Sequence, residues 1–144
     1  MGNSYMELRE RQQQEMNAMP IGFAFSDQQF KEIMRGWGLD PEKDLDKIVS
    51  IPAGGFIQKK DATAFIEMMK RHDNELNEAI AADHTGTEFI YEMFVYEMAN
   101  HEYGYTGDPE DTLNALGFSL EDVANNNRLT AGFLKAKAEI MAED

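Results

Sequence analysis

The sequence contains no cysteine, and this absence excludes disulfide bonds and thiolate metal ligands. Long apolar runs are absent too. None approaches the ~20 residues that a membrane-spanning helix requires, so no membrane partner is predicted. The first residues, MGNSYMELRERQQQEM, lack the apolar segment of a secretory signal. Because cysteine-free chains suit a reducing compartment, we expect a cytoplasmic location.

Basic residues are scarce and unevenly placed. The chain has 13 Lys and Arg against 27 Asp and Glu, which gives a formal net charge of -14. No Lys or Arg lies between His72 and Asn127, a stretch that holds thirteen Asp and Glu residues and all three histidines. This charge repels nucleic acid, so we expect no direct nucleic-acid binding and a basic protein as the partner. A purely solubilising role for the charge is the alternative.

The apolar pattern predicts a mainly α (α+β) fold with five or six helices packed around a central helix. Apolar residues make up 42% of the 144 residues, which is enough for a hydrophobic core that needs no disulfide or metal cross-link. The central helix is predicted within TEFIYEMFVYEMANHEY, which is apolar around most of its girth. One small β-hairpin is predicted at about residues 47-59, where KIVSI and GFIQK flank a turn containing Gly54 and Gly55.

Two regions are predicted along the chain. Residues 1-20 form an N-terminal helical extension, because the run RERQQQE is polar on all sides. Residues 21-144 form a single globular domain. Apolar positions at helical spacing predict a core composed of Phe30, Ile33, Trp37, Phe65, Met69, Leu76, Ile80, Phe89, Ile90, Met93, Phe94, Leu116, Leu120 and Phe133.

The cation-free stretch predicts an acidic face that a basic protein binds. Such a face imitates the charge of a nucleic-acid backbone. A specific calcium site is not expected, because no D-x-D-x-D-G loop is present. The residues predicted for this face are Glu75, Glu78, Glu88, Glu92, Glu102, Asp108, Glu110 and Asp111.

Two further groups of residues are candidates for a site. Glu97 and His101 are four apart on the apolar side of the central helix, and His72 lies on the apolar face of the preceding helix. They form either a structural network or, in the alternative, a metal or acid–base site. Tyr103 and Tyr105 flank a glycine and predict an aromatic recognition turn, or else pack against the helix end.

Two strings carry a resemblance to a known family. They are IPAGGFIQKKDATAF and FIYEMFVYEMANHEYGYTGDPEDTLNALGFSLEDV, with Gly54-Gly55-Phe56-Ile57 and Asn100-His101-Glu102-Tyr103 as their most typical motifs. The chain resembles a family of small uncharacterised proteins found on bacteriophages and conjugative elements of gut bacteria. The resemblance implies the cytoplasm of a bacterium that carries such an element, and it supplies no catalytic residue.

These observations predict a non-enzymatic, acidic interaction protein of a mobile genetic element. Its predicted partner is a basic, nucleic-acid-binding host defence protein, which it binds or inhibits. One alternative is a metal-binding protein or small hydrolase that uses His72, Glu97 and His101. Another is a small oligomeric scaffold assembling through the N-terminal helix. No cofactor is predicted, and the sequence leaves open whether the chain is a monomer or a homodimer.

Overall fold

A computed structural model of the chain describes residues 2–52 and 54–142. This part of the chain contains eight α-helices and one two-stranded antiparallel sheet, so the predicted mainly α fold with a small hairpin is confirmed. The helices are α1 Ser4–Ala18, α2 Asp27–Gly36, α3 Ala62–Ala82, α4 Phe89–Asn100, α5 Tyr103–Thr106, α6 Glu110–Leu116, α7 Leu120–Ala124 and α8 Asn127–Ala142. The strands are β1 Ile48–Ser50 and β2 Phe56–Gln58. None of the helices in these ranges combines the length and the apolar composition needed to cross a membrane.

The chain forms two compact units. The first, here called the acidic unit, combines Met1–Arg11 with Asn74–Asp144, and the second, the hairpin unit, is Gln12–Asp73. These boundaries differ from the predicted division after residue 20. Helix α1 contributes residues to both units, with Tyr5 buried in the acidic unit and Gln12 buried in the hairpin unit.

The hairpin unit is built around the two short strands. Ile48 pairs with Gln58 and Ser50 pairs with Phe56, in antiparallel register. The predicted turn includes Ala53, which lies outside the described residues, and Gly54, whose φ of +88° favours glycine. Phe56 packs its ring against Trp37 at a centroid distance of 5.3 Å. A small core of Ile51, Ile57, Phe65 and Met68 closes this unit.

The acidic unit has α4 at its centre, as predicted for the central helix. This helix contacts α5, α6 and α8, and it buries residues on several sides: Ile90, Met93, Phe94, Glu97 and Met98. An edge-to-face ring pair at 5.5 Å joins Phe94 to Phe133 of α8. A helix that packs on several neighbours must be apolar around its girth, and this explains the unusual composition of its sequence.

The end of α4 differs from the sequence prediction. The helix ends at Asn100 rather than near Tyr103, because Glu102 adopts the left-handed conformation at φ 55°. A residue other than glycine is uncommon there, and the chain turns at this point to begin α5. The helix count exceeds the predicted five or six because the stretch from Tyr103 to Ala124 divides into the three short helices α5, α6 and α7.

The start of α4 is fixed by the buried side chain of Asp83. Its carboxylate accepts hydrogen bonds from the backbone N–H groups of Gly86 at 2.9 Å, Glu88 at 3.0 Å and Ile90 at 3.0 Å. Burial alone would raise the pKa of Asp83, but these donors outweigh it and hold the pKa below its ordinary value. The loop between α3 and α4 is therefore ordered by one ionised carboxylate.

One predicted core residue is wrongly placed. Leu120 is 63% exposed, whereas the other predicted core residues are buried or half-buried. The cause is local, since Ser119 caps α7 and Leu120 becomes the first residue of a helix only five residues long. Val123 is the residue of α7 that reaches the core.

Candidate functional site

The negative charge of the chain is concentrated in one unit. The acidic unit contains seventeen Asp and Glu residues against five Lys and Arg, a net charge of -12. The hairpin unit contains ten acidic and eight basic residues, a net charge of -2. Nearly all of the net charge of -14 therefore belongs to the unit that contains the cation-free stretch.

Four of the five cations of the acidic unit have partners within it. Arg9 donates to the Tyr5 hydroxyl at 3.0 Å, and Arg11 forms a salt bridge with Glu75. Arg128 donates to the backbone carbonyls of Ile80 and Asp83. Lys135 donates to the carbonyl of Thr87 at 3.1 Å and lies over the ring of Tyr91. All four of these cations lie on α1 or α8, outside the segment between Glu102 and Asp122 in the sequence.

Three of the eight residues predicted for the acidic face have a structural task. Glu75 pairs with Arg11, and Glu92 Oε2 accepts the backbone N–H of Ser4 at 2.9 Å. Asp108 Oδ1 accepts the backbone N–H of Glu110 at 2.9 Å, and so it satisfies a donor at the start of α6. A substitution at any of these positions would remove a contact within the unit as well as a charge.

The other five residues predicted for the acidic face are exposed. Among the described residues, no ion pair involves their carboxylates. They are Glu78, Glu88, Glu102, Glu110 and Asp111. Glu121, which the sequence prediction left out of this face, is exposed in the same way in the first turn of α7. An unpaired carboxylate produces a negative electrostatic potential in the surrounding solvent, whereas the two charges of an ion pair largely cancel.

A groove lies beside the exposed carboxylates of α6 and α7. Its volume is about 310 Å³, and its lining residues are Asp108, Pro109, Glu110, Leu113, Asn114, Phe118, Ser119 and Leu120. Leu113 is buried, Phe118 is half-buried and Leu120 is largely exposed, so apolar surface is accessible there. The groove combines an apolar interior with acidic residues at its edge.

The turn between α6 and α7 gives this groove its shape. Gly117 has a φ of +76°, its N–H bonds to the Asn114 carbonyl, and the N–H of Phe118 bonds to the Leu113 carbonyl. This is the Schellman pattern of helix ends, in which the residue after the glycine packs against the last turn. Ser119 then begins α7 with a capping box shared with Asp122. Phe118 is thereby held beside Leu113.

The two tyrosines of the predicted aromatic turn have different environments. Tyr103 is 3% exposed, and its ring packs against Phe133 at a centroid distance of 6.3 Å. Burial raises the pKa of Tyr103. Tyr105 is 94% exposed on α5. The structure therefore gives only Tyr105 the accessibility that a recognition residue needs.

Glu97 and His101 lie together, and α1 adds two residues that the sequence did not indicate. His101 Nε2 is 3.4 Å from Glu97 Oε2, while the Tyr5 hydroxyl donates to Glu97 Oε1 at 3.2 Å. Arg9 donates to the Tyr5 oxygen and stacks over its ring at 5.3 Å. Both oxygens of the buried Glu97 carboxylate have protein partners, which favours a structural network over a vacant ligand set.

His72, the third residue of the metal alternative, has a partner in the hairpin unit. Its Nε2 lies 3.3 Å from Glu15 Oε2, and Gln12 donates to its backbone carbonyl at 3.2 Å. Arg71 also forms a salt bridge with Glu15. The Arg71 hydrogen bond, with a smaller contribution from His72, lowers the pKa of Glu15 to about 2. His72 therefore belongs to an ion-pair group centred on Glu15.

A family model matches residues 4–139, which is nearly the whole chain. The chain belongs to the family of unknown function DUF7659. This agrees with the predicted resemblance to a family of uncharacterised proteins. No curated protein and no solved structure matches the sequence. The function must therefore be argued from the geometry and the charge of the molecule itself.

Sequence reasoning missed Tyr5, Arg9, Phe118 and the exposure of Leu120. Tyr5 and Arg9 are four apart on α1, and this spacing of a ring and a guanidinium in a polar helix was a usable signal. The exposure of Leu120 followed from the Ser119 capping box, which places the leucine in a first helical turn. No local signal in the sequence pairs Tyr5 with Glu97.

Proposed function

We propose that the chain is a non-enzymatic interaction protein whose acidic unit binds a basic partner protein. The observation that carries this proposal is the charge of -12 on one unit, together with its exposed and unpaired carboxylates on α6 and α7. Such a surface attracts a cationic partner over distances of about one Debye length, which is ~8 Å at physiological salt. It repels nucleic acid and anionic membranes for the same reason.

The partner that fits best is a nucleic-acid-binding host defence protein, and the setting is a bacterium carrying a mobile element. Two observations support this. The exposed carboxylates present negative charge along a protein surface as a phosphate backbone does. The strings around Gly54-Gly55 and Asn100-His101 resemble proteins of bacteriophages and conjugative elements, where small acidic proteins counter host defences. The proposed compartment is the bacterial cytoplasm.

Two triple variants test the proposal at equal net charge. One neutralises exposed acids of α6 and α7 and is here called the α6–α7 neutral variant: Glu110→Gln, Asp111→Asn and Glu121→Gln. The other neutralises exposed acids of the hairpin unit and is called the hairpin-unit control: Glu32→Gln, Glu42→Gln and Glu67→Gln. Asp108 and Asp122 are left unchanged, because their carboxylates accept backbone N–H groups at the starts of α6 and α7.

Each protein is immobilised and exposed to lysate of a bacterial host at low salt, then washed with rising salt. We expect wild type and the hairpin-unit control to retain the same basic protein and to release it as salt screens the contact. The α6–α7 neutral variant should release it at lower salt, with an unchanged circular dichroism spectrum. Equal retention by both variants, or release that does not depend on salt, would contradict the proposal.

A further inference from the structure

We infer that the groove between α6 and α7 binds an apolar side chain from a basic amphipathic helix of the partner. The inference rests on the proposed function and names the chemistry of its binding site. Acidic residues attract the partner, and the groove selects among basic partners by requiring an apolar anchor.

The apolar lining of the groove supports an anchored contact. Leu113 forms its buried part at 2% exposure, and Phe118 stands beside it in the turn. Leu120 is 63% exposed at the edge, although its side chain is among the most hydrophobic in the unit. Covering this leucine removes apolar surface from water and so stabilises a complex. The groove has a volume of about 310 Å³, enough space for apolar side chains of a partner.

The charges around the groove define the partner's other residues. Asp108 and Glu110 line it, and Asp111 and Glu121 are exposed in the first turns of the same two helices. No lysine or arginine lies in the sequence between Arg71 and Arg128, so α6, α7 and the turn between them contribute no cation to the groove. A partner with Lys or Arg on both sides of its apolar anchor is complementary to this arrangement.

A helical partner fits the groove better than an extended one. The walls are two helices and the turn that joins them, and the turn's backbone groups are already paired in the Schellman pattern. The groove offers no strand edge to which an extended peptide could add. An amphipathic helix needs only side-chain contacts, with anchors at i and i+3 or i+4.

Fluorescence anisotropy with two synthetic peptides of identical composition tests the inference. In one, leucines at i, i+3, i+4 and i+7 form one face of a lysine-rich helix. In the other, the same residues are ordered so that the leucines surround the helix. We expect the amphipathic peptide to bind more tightly, and Leu120→Ala to weaken its binding roughly tenfold or more.

Leu134→Ala is the matched control, because Leu134 is a comparably exposed leucine, at 56%, on α8 of the same unit. It should leave binding unchanged. If both peptides bind equally and Leu120→Ala has no effect, while the α6–α7 neutral variant weakens both, the groove inference is wrong and the charge proposal stands. If neither peptide binds at low salt, both are contradicted. Thermal melts confirm that each variant is folded.

Discussion

The Tyr5 hydroxyl donates a hydrogen bond to Glu97 Oε1 at 3.2 Å, between residues that are 92 positions apart in the sequence. This bond joins α1 to the central helix of the acidic unit. Tyr5 is 1% exposed and Glu97 is 8% exposed, so the Glu97 carboxylate is buried in a largely apolar setting, where Tyr5 and His101 are its polar partners. Burial raises the pKa of Tyr5 to about 12, so its hydroxyl stays protonated well above physiological pH.

Removing this donor should destabilise the chain. Tyr5→Phe leaves Glu97 Oε1 buried without the Tyr5 hydroxyl, and we expect the free energy of unfolding to fall by about 1–3 kcal/mol. Urea denaturation followed by circular dichroism measures the change. Tyr105→Phe is the control, because Tyr105 is 94% exposed and its hydroxyl lies in solvent. Equal stability of the two variants would show that the Tyr5–Glu97 bond contributes nothing.

A second prediction concerns the close approach of α8 to the loop before α4. A Cβ on Gly132 would lie 2.5 Å from the Gly86 carbonyl oxygen and 2.6 Å from Ile90 Cγ2. Gly132→Ala should therefore cost about 1–3 kcal/mol of stability through overpacking. At Gly36, at the end of α2, a Cβ would meet no atom within 4 Å. Gly36→Ala should be neutral or stabilise by up to about 1 kcal/mol.

The sequence was sufficient for those parts of the fold that local patterns determine. Hydrophobic period and paired glycines predicted the helical class, the hairpin and the central helix. They did not predict the end of α4, because a left-handed conformation at a residue other than glycine, here Glu102, has no signal in the sequence pattern. Leu120 was assigned to the core because the spacing of apolar residues does not show that the helix is only five residues long. In a helix this short, Val123 is the residue that is buried.

The third prediction is a pH dependence that originates at Asp83. Its folded pKa lies below the ordinary Asp value, so its contribution to stability is complete above that value and is lost as pH falls through the folded pKa. Asp83→Asn should remove this acid dependence. The substitution should also lower the free energy of unfolding by about 1.5–3 kcal/mol at neutral pH. The reason is that an ionised carboxylate accepts hydrogen bonds from backbone N–H groups more strongly than a neutral amide does. Urea midpoints between pH 7 and pH 3 measure both effects.

Asp73→Asn serves as the comparison for Asp83, since it removes the same charge from an exposed position on α3. We expect it to leave the acid dependence and the neutral stability almost unchanged. If the two asparagine variants have the same stability at pH 7, the backbone hydrogen bonds of Asp83 do not order the loop.

The fourth prediction tests the ion-pair group of the hairpin unit. Glu15 has a pKa of about 2, against an ordinary value of 4.5, chiefly because Arg71 donates to its carboxylate. Arg71→Gln should therefore raise the pKa of Glu15 towards 4.5, and His72→Gln should raise it less. Carbon-13 NMR titration of the Glu15 carboxyl measures this. Lys70→Gln, at a neighbouring exposed lysine, should leave it unchanged. A larger increase of the Glu15 pKa in His72→Gln than in Arg71→Gln would show that His72, and not Arg71, is the main cause of the lowered pKa.

Less of the candidate site than of the fold could be predicted. The cation-free stretch indicated the acidic face, since charge can be read from the sequence without a structure. The division into exposed acids and structural acids could not be read in this way. Glu92 is engaged by the backbone of Ser4, 88 positions away, and Glu75 by Arg11, 64 positions away. The groove depends on the packing of Phe118 beside Leu113 across the turn between α6 and α7. The capping residues in the sequence indicate this packing only when the positions of both helices are known.

The most direct measurement is the affinity of the amphipathic lysine-rich peptide for the α6–α7 neutral variant and for the hairpin-unit control, at low salt and at physiological salt. Both proteins carry the same net charge, so a difference in affinity reflects the position of the neutralised acids and not their number. We expect the α6–α7 neutral variant to bind several-fold more weakly than the control at low salt, and the gap to narrow as salt rises. Equal affinities at both salt concentrations would contradict binding through the acidic unit and would leave its charge a determinant of solubility.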